Sequence, residues 1–327
     1  MHKVQSVMLI VATMIAGLFA VVISAQDDLP PEIIIERPGF GPEGIEWDAE
    51  SGRFLLGSLN EGTVFAVDDE GSITPFAEDE NFMATVGIQV DAERGRLLVT
   101  NADPSIFFNP SAAGSAGLGA YDLETGEQIF YADLSGLNTE DGVQFFANDV
   151  AVDADGNAYI TNSFAPEIYV VDADGNADVF ITDDRLSSDF FGLNGIDYHP
   201  DGYLLVAVAG EAELYKIPVD DPAAITQVEL DVPFGADGII LHPDGYLVAV
   251  ADYFDAEAGA SVSAVILVSS EDDWASATLV ESVPDNGVAT TATIRDGVVY
   301  IINAYLDNPQ SEQYEIVRVD FETLMGG

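Results

Sequence analysis

Four oxygen-bearing side chains, Glu43, Asn148, Asn194 and Asp237, stand at one position in four copies of a repeated sequence unit. Two carboxylates and two amide carbonyls form an all-oxygen donor set. Such a set suits a hard cation that takes six to eight ligands at roughly 2.3–2.6 Å, and calcium fits best. Zinc and copper are disfavoured, because the chain has no Cys and only three His, so thiolate and imidazole ligands are scarce. The other two copies carry Val86 and Thr290 at the matching position, and neither is a strong ligand. Water or substrate must then complete the shell, as a catalytic metal requires. Any single Asn-Gly, Asp-Gly or Asn-Asp pair reads as turn chemistry, but four oxygen residues in register favour a metal.

The elements that must position these residues follow from the repeat. The units are PEGIEWDAESGRFLLGS from Pro42, TVGIQVDAERGRLLVTN from Thr85, ANDVAVDADGNAYITNS from Ala147, LNGIDYHPDGYLLVAV from Leu193, ADGIILHPDGYLVAVAD from Ala236 and the weaker TTATIRDGVVYIINA from Thr290. Each reads as a short apolar strand, a turn with Gly and an acid, and a second apolar strand. The marked positions Glu43, Val86, Asn148, Asn194 and Asp237 are 43, 62, 46 and 43 residues apart, spacings that suit four-stranded blades with one blade enlarged by an insertion. The expectation is an all-β, six-bladed β-propeller forming a single domain over 26–327. The EIIIE segment at 32–36 precedes the first unit, and the last unit lacks an obvious fourth strand. The N-terminal strand is therefore expected to complete the sixth blade and close the ring. Innermost strands run along the central channel, so the residues that begin them converge near the axis. The Asp-Ala-Asp-Gly turns at 153–156 and 172–175 place Gly fourth rather than sixth, which makes them hairpin turns and not calcium loops.

Residues 1–25 combine Lys3 with an apolar run over 7–23 and a small residue, Ala25, before an acidic stretch, the pattern of a secretory signal peptide. An uncleaved membrane anchor is the alternative, since the run approaches the length of a short transmembrane helix. A secreted or periplasmic location follows from either a cleaved or a retained export segment. With 58 Asp and Glu against 9 Lys and Arg, the net charge is −49, which argues against binding nucleic acid or an anionic membrane and favours attracting cations. Apolar residues make up 48% of the chain, so the charge does not imply disorder. A small molecule is the expected partner.

The pieces Pro42-Glu43-Gly44, Asn148-Asp149 followed by Ala-Val-Asp, Asn194-Gly195-Ile196 and Ala236-Asp237-Gly238 carry a resemblance. Over roughly 30–325 the chain resembles the senescence marker protein, gluconolactonase and luciferin-regenerating enzyme family, within the calcium-dependent phosphotriesterase superfamily. The resemblance implies that Glu43, Asn148, Asn194 and Asp237 surround a calcium ion whose open side supports hydrolysis of lactones or phosphotriesters. It makes Asp237 the leading general base or nucleophile, with the choice between those roles open. Two departures bear on the substrate. Paraoxonases and diisopropyl fluorophosphatase carry a pocket His, whereas His199 and His242 here sit in His-Pro-Asp-Gly turns, read as lying at the face away from the ring. Gluconolactonases often place an Arg two residues before the first ring Asn to hold sugar hydroxyls, and this chain has Phe146 there.

Aromatic residues crowd the segments expected on the ligand face: Phe107 and Phe108 in an insertion over 102–117, Phe145 and Phe146, Phe190 and Phe191, Phe234, and Tyr253 and Phe254. Phe146, Phe191, Tyr253 and Thr290 are the expected substrate-pocket residues, which favours a partly apolar substrate. There is no Gly-x-Ser-x-Gly elbow, phosphate-binding loop or His-Glu-x-x-His pattern, and a Ser-His-Asp triad lacks its His. The function expected is a secreted calcium-dependent lactonase or esterase. A non-catalytic propeller with a structural calcium and a sugar lactonase are the alternatives.

Overall fold

The computed structural model describes residues 29–325 apart from 110, 139–141, 190, 257, 287, 307 and 309. Residues 1–25, expected to be a signal peptide, and Phe190 lie outside the described residues. The fold is all-β and propeller-like. Four-stranded antiparallel meanders recur along the chain because each repeat alternates apolar runs with turn residues that reverse the direction after five to nine residues.

Pro42–Asp48 pairs with Arg53–Ser58, then Thr63–Val67 and Ile73–Glu78. Leu193–His199 begins a similar sheet. Phe234–Leu241 begins another, to whose outer strand Ser276–Pro284 the short Glu229–Leu230 adds in parallel. The sheets headed by Ala84–Asp91 and Phe145–Val152 were expected to be separate blades. They are joined into one eight-stranded sheet by a parallel pairing of Phe145 with Gly114 and Phe146 with Ser115. The residues that make this bridge on the earlier sheet come from the insertion, which extends Gly114–Asp122 to nine residues. Six repeats thus form five hydrogen-bonded sheets among the described residues.

The last sheet takes strands from both ends of the chain. Glu32–Glu36 lies antiparallel to Gln313–Val319, with Ile34 opposite Glu315. Its Ile33 and Ile35 are buried and Ile34 is 48% exposed, the alternation of a strand with one covered face. Ile33, Ile35, Phe40, Phe54, Tyr300 and Tyr314 belong to one core cluster between this sheet and the first. Arg295 adds a bidentate ion pair to Asp69 at 2.5 and 2.9 Å across the same seam.

The inner strands Pro42–Asp48, Ala84–Asp91, Phe145–Val152, Leu193–His199, Phe234–Leu241 and Ala289–Arg295 each lie beside the next, and the last lies beside the first. Every one of them carries a register shift at the ring position: between Pro42 and Ile45, Thr85 and Ile88, Ala147 and Val150, Leu193 and Ile196, Ala236 and Ile239, and Ala289 and Ala292. Two residues there face one on the partner strand, as in a β-bulge, which re-aims a side chain and breaks the regular alternation. The residue after the ring residue must also be small where strands crowd. A Cβ on Gly195 would stand 2.7 Å from the amide nitrogen of Ile239, and one on Gly44 would collide with the carbonyl oxygen of Val86. Gly195→Ala is accordingly expected to lower stability by roughly 1–3 kcal/mol through overpacking. Urea unfolding of the variant checks this, and an unchanged midpoint would show that the inner strands can separate freely.

Candidate functional site

The bulges bring Glu43, Asn148, Asn194 and Asp237 to one central space, whose lining also includes Glu46, Asp149 and Asp197. Hydroxyls on neighbouring strands hold the ring backbone in place. Thr290 donates to the carbonyl of Glu43 at 2.9 Å, Thr100 to that of Asn148 at 2.7 Å and Thr161 to that of Asn194 at 2.8 Å. Thr290 was expected to contact substrate. It is buried, and its hydroxyl is engaged in holding Glu43, although the residue borders a small recess beside the ring.

The ring amides turn their NH2 groups toward the protein. Asn148 Nδ2 donates to Ser163 Oγ at 3.0 Å and Asn194 Nδ2 to Asp237 Oδ1 at 2.8 Å. Among the described residues neither amide oxygen accepts from a protein donor, an orientation set by the hydrogen-bond network. Glu43 is only 8% exposed, and among the described residues its carboxylate has no hydrogen-bond or ion-pair partner. A buried carboxylate without a partner is costly, and two free amide oxygens with a second carboxylate nearby are the chemistry that a hard cation satisfies. Among the described residues no three His, Cys, Asp or Glu side chains gather into a metal-holding group; the ring mixes two carboxylates with two amides.

Acids dominate the local field. Burial pushes the Glu43 carboxyl well above the usual carboxylate range, and the charges of Asp237 and Asp149 add to the shift. Asp237 is raised to about 6 by burial, against the opposing hydrogen bond from Asn194. One layer along the same strands lies a second set that sequence reading missed. Burial raises Glu46 well above its ordinary value, Asp149 to about 7 and Asp197 to about 6. Their oxygens tie inner strands together. Asp149 accepts from the amide of Ile196 at 3.2 Å, Asp197 from that of Leu241 at 2.6 Å, and Glu46 from Gln89 Nε2 at 3.1 Å. The repeat did carry a signal for part of this layer, since Glu46, Gln89 and Asp197 each stand three residues after a ring position.

Over the ring opens a cavity of about 530 Å³ whose lining includes Glu43, Asn148 and Asp237. Phe107, Phe108, Phe146 and Phe191 form part of its wall. Phe107 packs edge-on against Phe146 and Phe164, with ring centroids 5.0 and 5.6 Å apart, and Phe191 meets Phe164 at 5.8 Å. The insertion is therefore held down by ring contacts and by the four-residue 3-10 turn Pro104–Phe107, capped by Asp103. Phe145 and Phe234 instead enter the core between sheets. Tyr253, expected in the pocket, packs against the same core cluster as Ala249 and Ala251, and its hydroxyl donates to Ser282 at 2.9 Å. The strand Leu247–Asp255 alternates, so Asp252 and not Tyr253 faces the recess of about 280 Å³ that Asp237 also lines. Asp285 and Ser263 line that recess with it.

His199 and His242 keep to their turns. Each Nδ1 accepts the backbone amide two residues on, from Asp201 and Asp244, at 3.2 Å. That assigns the proton to Nε2, which in His242 donates to the carbonyl of Gly297 at 3.2 Å. Neither lines the cavity.

The SMP-30/Gluconolactonase/LRE-like region matches residues 41–259, most of the chain and the stretch that carries all four ring residues. The chain belongs to that family. Membership in the SMP-30/gluconolactonase/LRE-like family supports a hydrolase of lactonase type acting on a small molecule. No curated protein matches the chain. Among solved structures, the major Malassezia sympodialis allergen Mala s 1 superposes with a TM-score of 0.75 at 19% identity, covering 89% of this chain and 96% of the allergen. The gluconolactonase XC5397 from Xanthomonas campestris follows the same path with a TM-score of 0.59 at 17% identity, over 89% of this chain and 91% of that one. Regucalcin from Agrobacterium tumefaciens, a calcium-binding protein, gives 0.58 at 18% identity, over 89% and 95%. At these identities the likeness concerns the fold.

Proposed function

We propose that the chain is an exported, calcium-dependent hydrolase that opens lactones or esters with a partly apolar body. The observation that carries this reading is the ring of Glu43, Asn148, Asn194 and Asp237, three members of which, Glu43, Asn148 and Asp237, line a cavity walled by Phe107, Phe108, Phe146 and Phe191. We take the closed succession of inner strands as six blades, with Glu32–Glu36 completing the last.

Glu43, Asn148, Asn194 and Asp237 would hold the calcium, which when bound supplies a Lewis acid for the carbonyl oxygen of the substrate. Asn194 fixes Asp237 through Oδ1, leaving the other carboxylate oxygen to take a proton from water or to attack the carbonyl carbon. With a value of about 6, Asp237 is mostly ionised at neutral pH, as either role requires. The phenylalanines exclude water and orient the apolar part of the substrate. A sugar lactone is the second reading, favoured by the recess of Asp252, Asp285 and Ser263 beside Asp237, whose oxygens can accept from sugar hydroxyls.

A hydrolysis screen over aliphatic lactones, sugar lactones, aryl esters and phosphotriesters, with and without chelator, tests both readings. Chelator-sensitive turnover strongest on apolar lactones or esters is the expected result. Strongest turnover on sugar lactones selects the second reading, and no turnover of any class by calcium-loaded protein sinks the hydrolase. Export is tested by the N-terminal mass of the protein recovered from outside the cytoplasm, where loss of a segment near residue 25 is expected.

A further inference from the structure

Two cavities meet at the candidate catalytic carboxylate. Asp237 lines both the aromatic cavity and the recess of about 280 Å³, and Leu306 borders both. A carbonyl brought to Asp237 therefore has room on two sides, and the two sides differ in chemistry. The recess is built by strands of the Asp237 sheet. Asp252 and Ser263 face each other across the pairing of Leu247–Asp255 with Ala260–Ser269, and Ser263 Oγ donates to Asp252 Oδ1. The amide of Asp285 donates to the carbonyl of Ser263 at 3.3 Å, which brings a buried carboxylate to the same lining. Burial raises Asp237, and the charge of Asp252 adds to it, so the two carboxylates act on one space. Val288, Ala289 and Leu306 supply an aliphatic wall.

The hydroxyl donors of this recess are already spent. Ser263 gives its proton to Asp252, and Thr290 gives its own to the carbonyl of Glu43. No Lys, Arg or His stands among the described residues that line it. Its side chains thus offer acceptors and negative charge alone. A sugar hydroxyl asks for a donor as well as an acceptor, whereas an ammonium group asks only for acceptors and charge. A bare metal ion would ask for the same, but among the described residues no three carboxylates form a metal-holding group. The aliphatic wall suits a cation that carries carbon.

We infer that the recess takes an alkylammonium group, so that the preferred substrate is an ester with an apolar arm on one side of the scissile bond and a cationic arm on the other. This inference rests on the proposed hydrolase and its apolar cavity, and it adds Asp252 and Asp285 as specificity-determining residues. Hydrolysis adds water across the acyl C–O bond and releases a carboxylic acid from one arm and an alcohol from the other, with the proton of the acid passing to solvent.

The test compares hexanoylcholine with 3,3-dimethylbutyl hexanoate, which replaces the ammonium nitrogen by carbon and keeps the shape. Each kcat/KM of the calcium-supplemented protein is divided by the hydroxide-catalysed rate of the same ester, which removes the intrinsic reactivity of the choline ester. The wild-type ratio is expected to favour the choline ester about two- to tenfold. Asp252→Asn keeps an oxygen for Ser263 and is expected to cut that ratio about two- to fivefold, the share of one exposed ion pair. Asp174→Asn removes one charge from an exposed hairpin turn and should leave the ratio as it is, which separates the recess from the field of the whole acidic chain. Equal wild-type values for the two esters, a ratio that neither Asp252→Asn nor Asp285→Asn lowers, or a fall with Asp174→Asn as large as with Asp252→Asn overturns the inference. Chelator-sensitive turnover of the neutral ester upholds the hydrolase reading in each of those cases. Turnover of neither ester removes that reading and the inference together.

Discussion

Asp237→Asn is expected to lower hydrolysis by roughly 10²–10⁴-fold while the folded structure persists. The change is isosteric, and the new amide oxygen can still accept from Asn194 Nδ2, which now donates to Asp237 Oδ1 at 2.8 Å. What is lost is the negative charge that removes the proton or attacks the carbonyl. Glu43→Gln provides the contrast. Glu43 has no hydrogen-bond or ion-pair partner among the described residues to rupture, so its loss should appear mainly as weaker calcium binding, with activity recovering at high calcium. Asp237→Asn should stay inactive when calcium saturates. Initial rates on the best substrate of the screen across a calcium titration separate the two variants, and recovery of the Asp237 variant by calcium would remove it from the chemistry and leave it a ligand only.

Metal-free protein is expected to lose stability as pH rises from about 4 to about 7, the reverse of ordinary acid denaturation. Glu43 and Glu46 are raised well above the usual carboxylate range, Asp149 to about 7, and Asp197 and Asp237 to about 6. Burial is the leading cause in every case. The same groups titrate near 4 in the unfolded chain, so between those limits the folded state binds more protons than the unfolded state. Their contribution is fully present below the unfolded values and is lost as pH rises through the folded ones. Calcium acts oppositely. It replaces protons on Glu43 and Asp237, so its stabilisation grows with pH and reaches about 2.7 kcal/mol at a free concentration 100 times its dissociation constant. Urea unfolding at pH 5 and pH 8, with chelator and with calcium, reads both effects. Glu46→Gln should reduce the chelated slope, because it removes one group while leaving an oxygen for Gln89 to donate to. A chelated protein that grows more stable from pH 5 to pH 8 would show that these acids are not held protonated by the fold.

Much of this site was legible because the repeat is written in the sequence. Copies in register gave the inner strands, the four ring oxygens and the pairing of Glu32–Glu36 with the C-terminal end. The His-Pro-Asp-Gly motif similarly predicted that His199 and His242 would serve their own turns, since a ring nitrogen two residues before an amide is a local arrangement. Local chemistry of this kind needs no knowledge of the rest of the chain.

Three features needed the folded molecule. Strand alternation has a period of two, and a bulge shifts its phase, so the sequence marked the ring residues without showing that each sits on a register shift that turns it inward. Alternation was informative for Tyr253, which shares a face with Ala249 and Ala251; proximity to the end of the strand misled, and Asp252 instead lines the recess beside Asp237. The third feature is proximity between repeats. Asp149, Asp197 and Glu46 become neighbouring buried acids, each raised chiefly by burial, because the ring brings together positions far apart in the chain. The sequence determined by itself which side chains the repeat offers to the axis. Only the tertiary structure decided which of them share a cavity, which hydroxyls are already engaged and which acids burial pushes above their ordinary range, since each depends on distance and burial, and neither is a property of a residue alone.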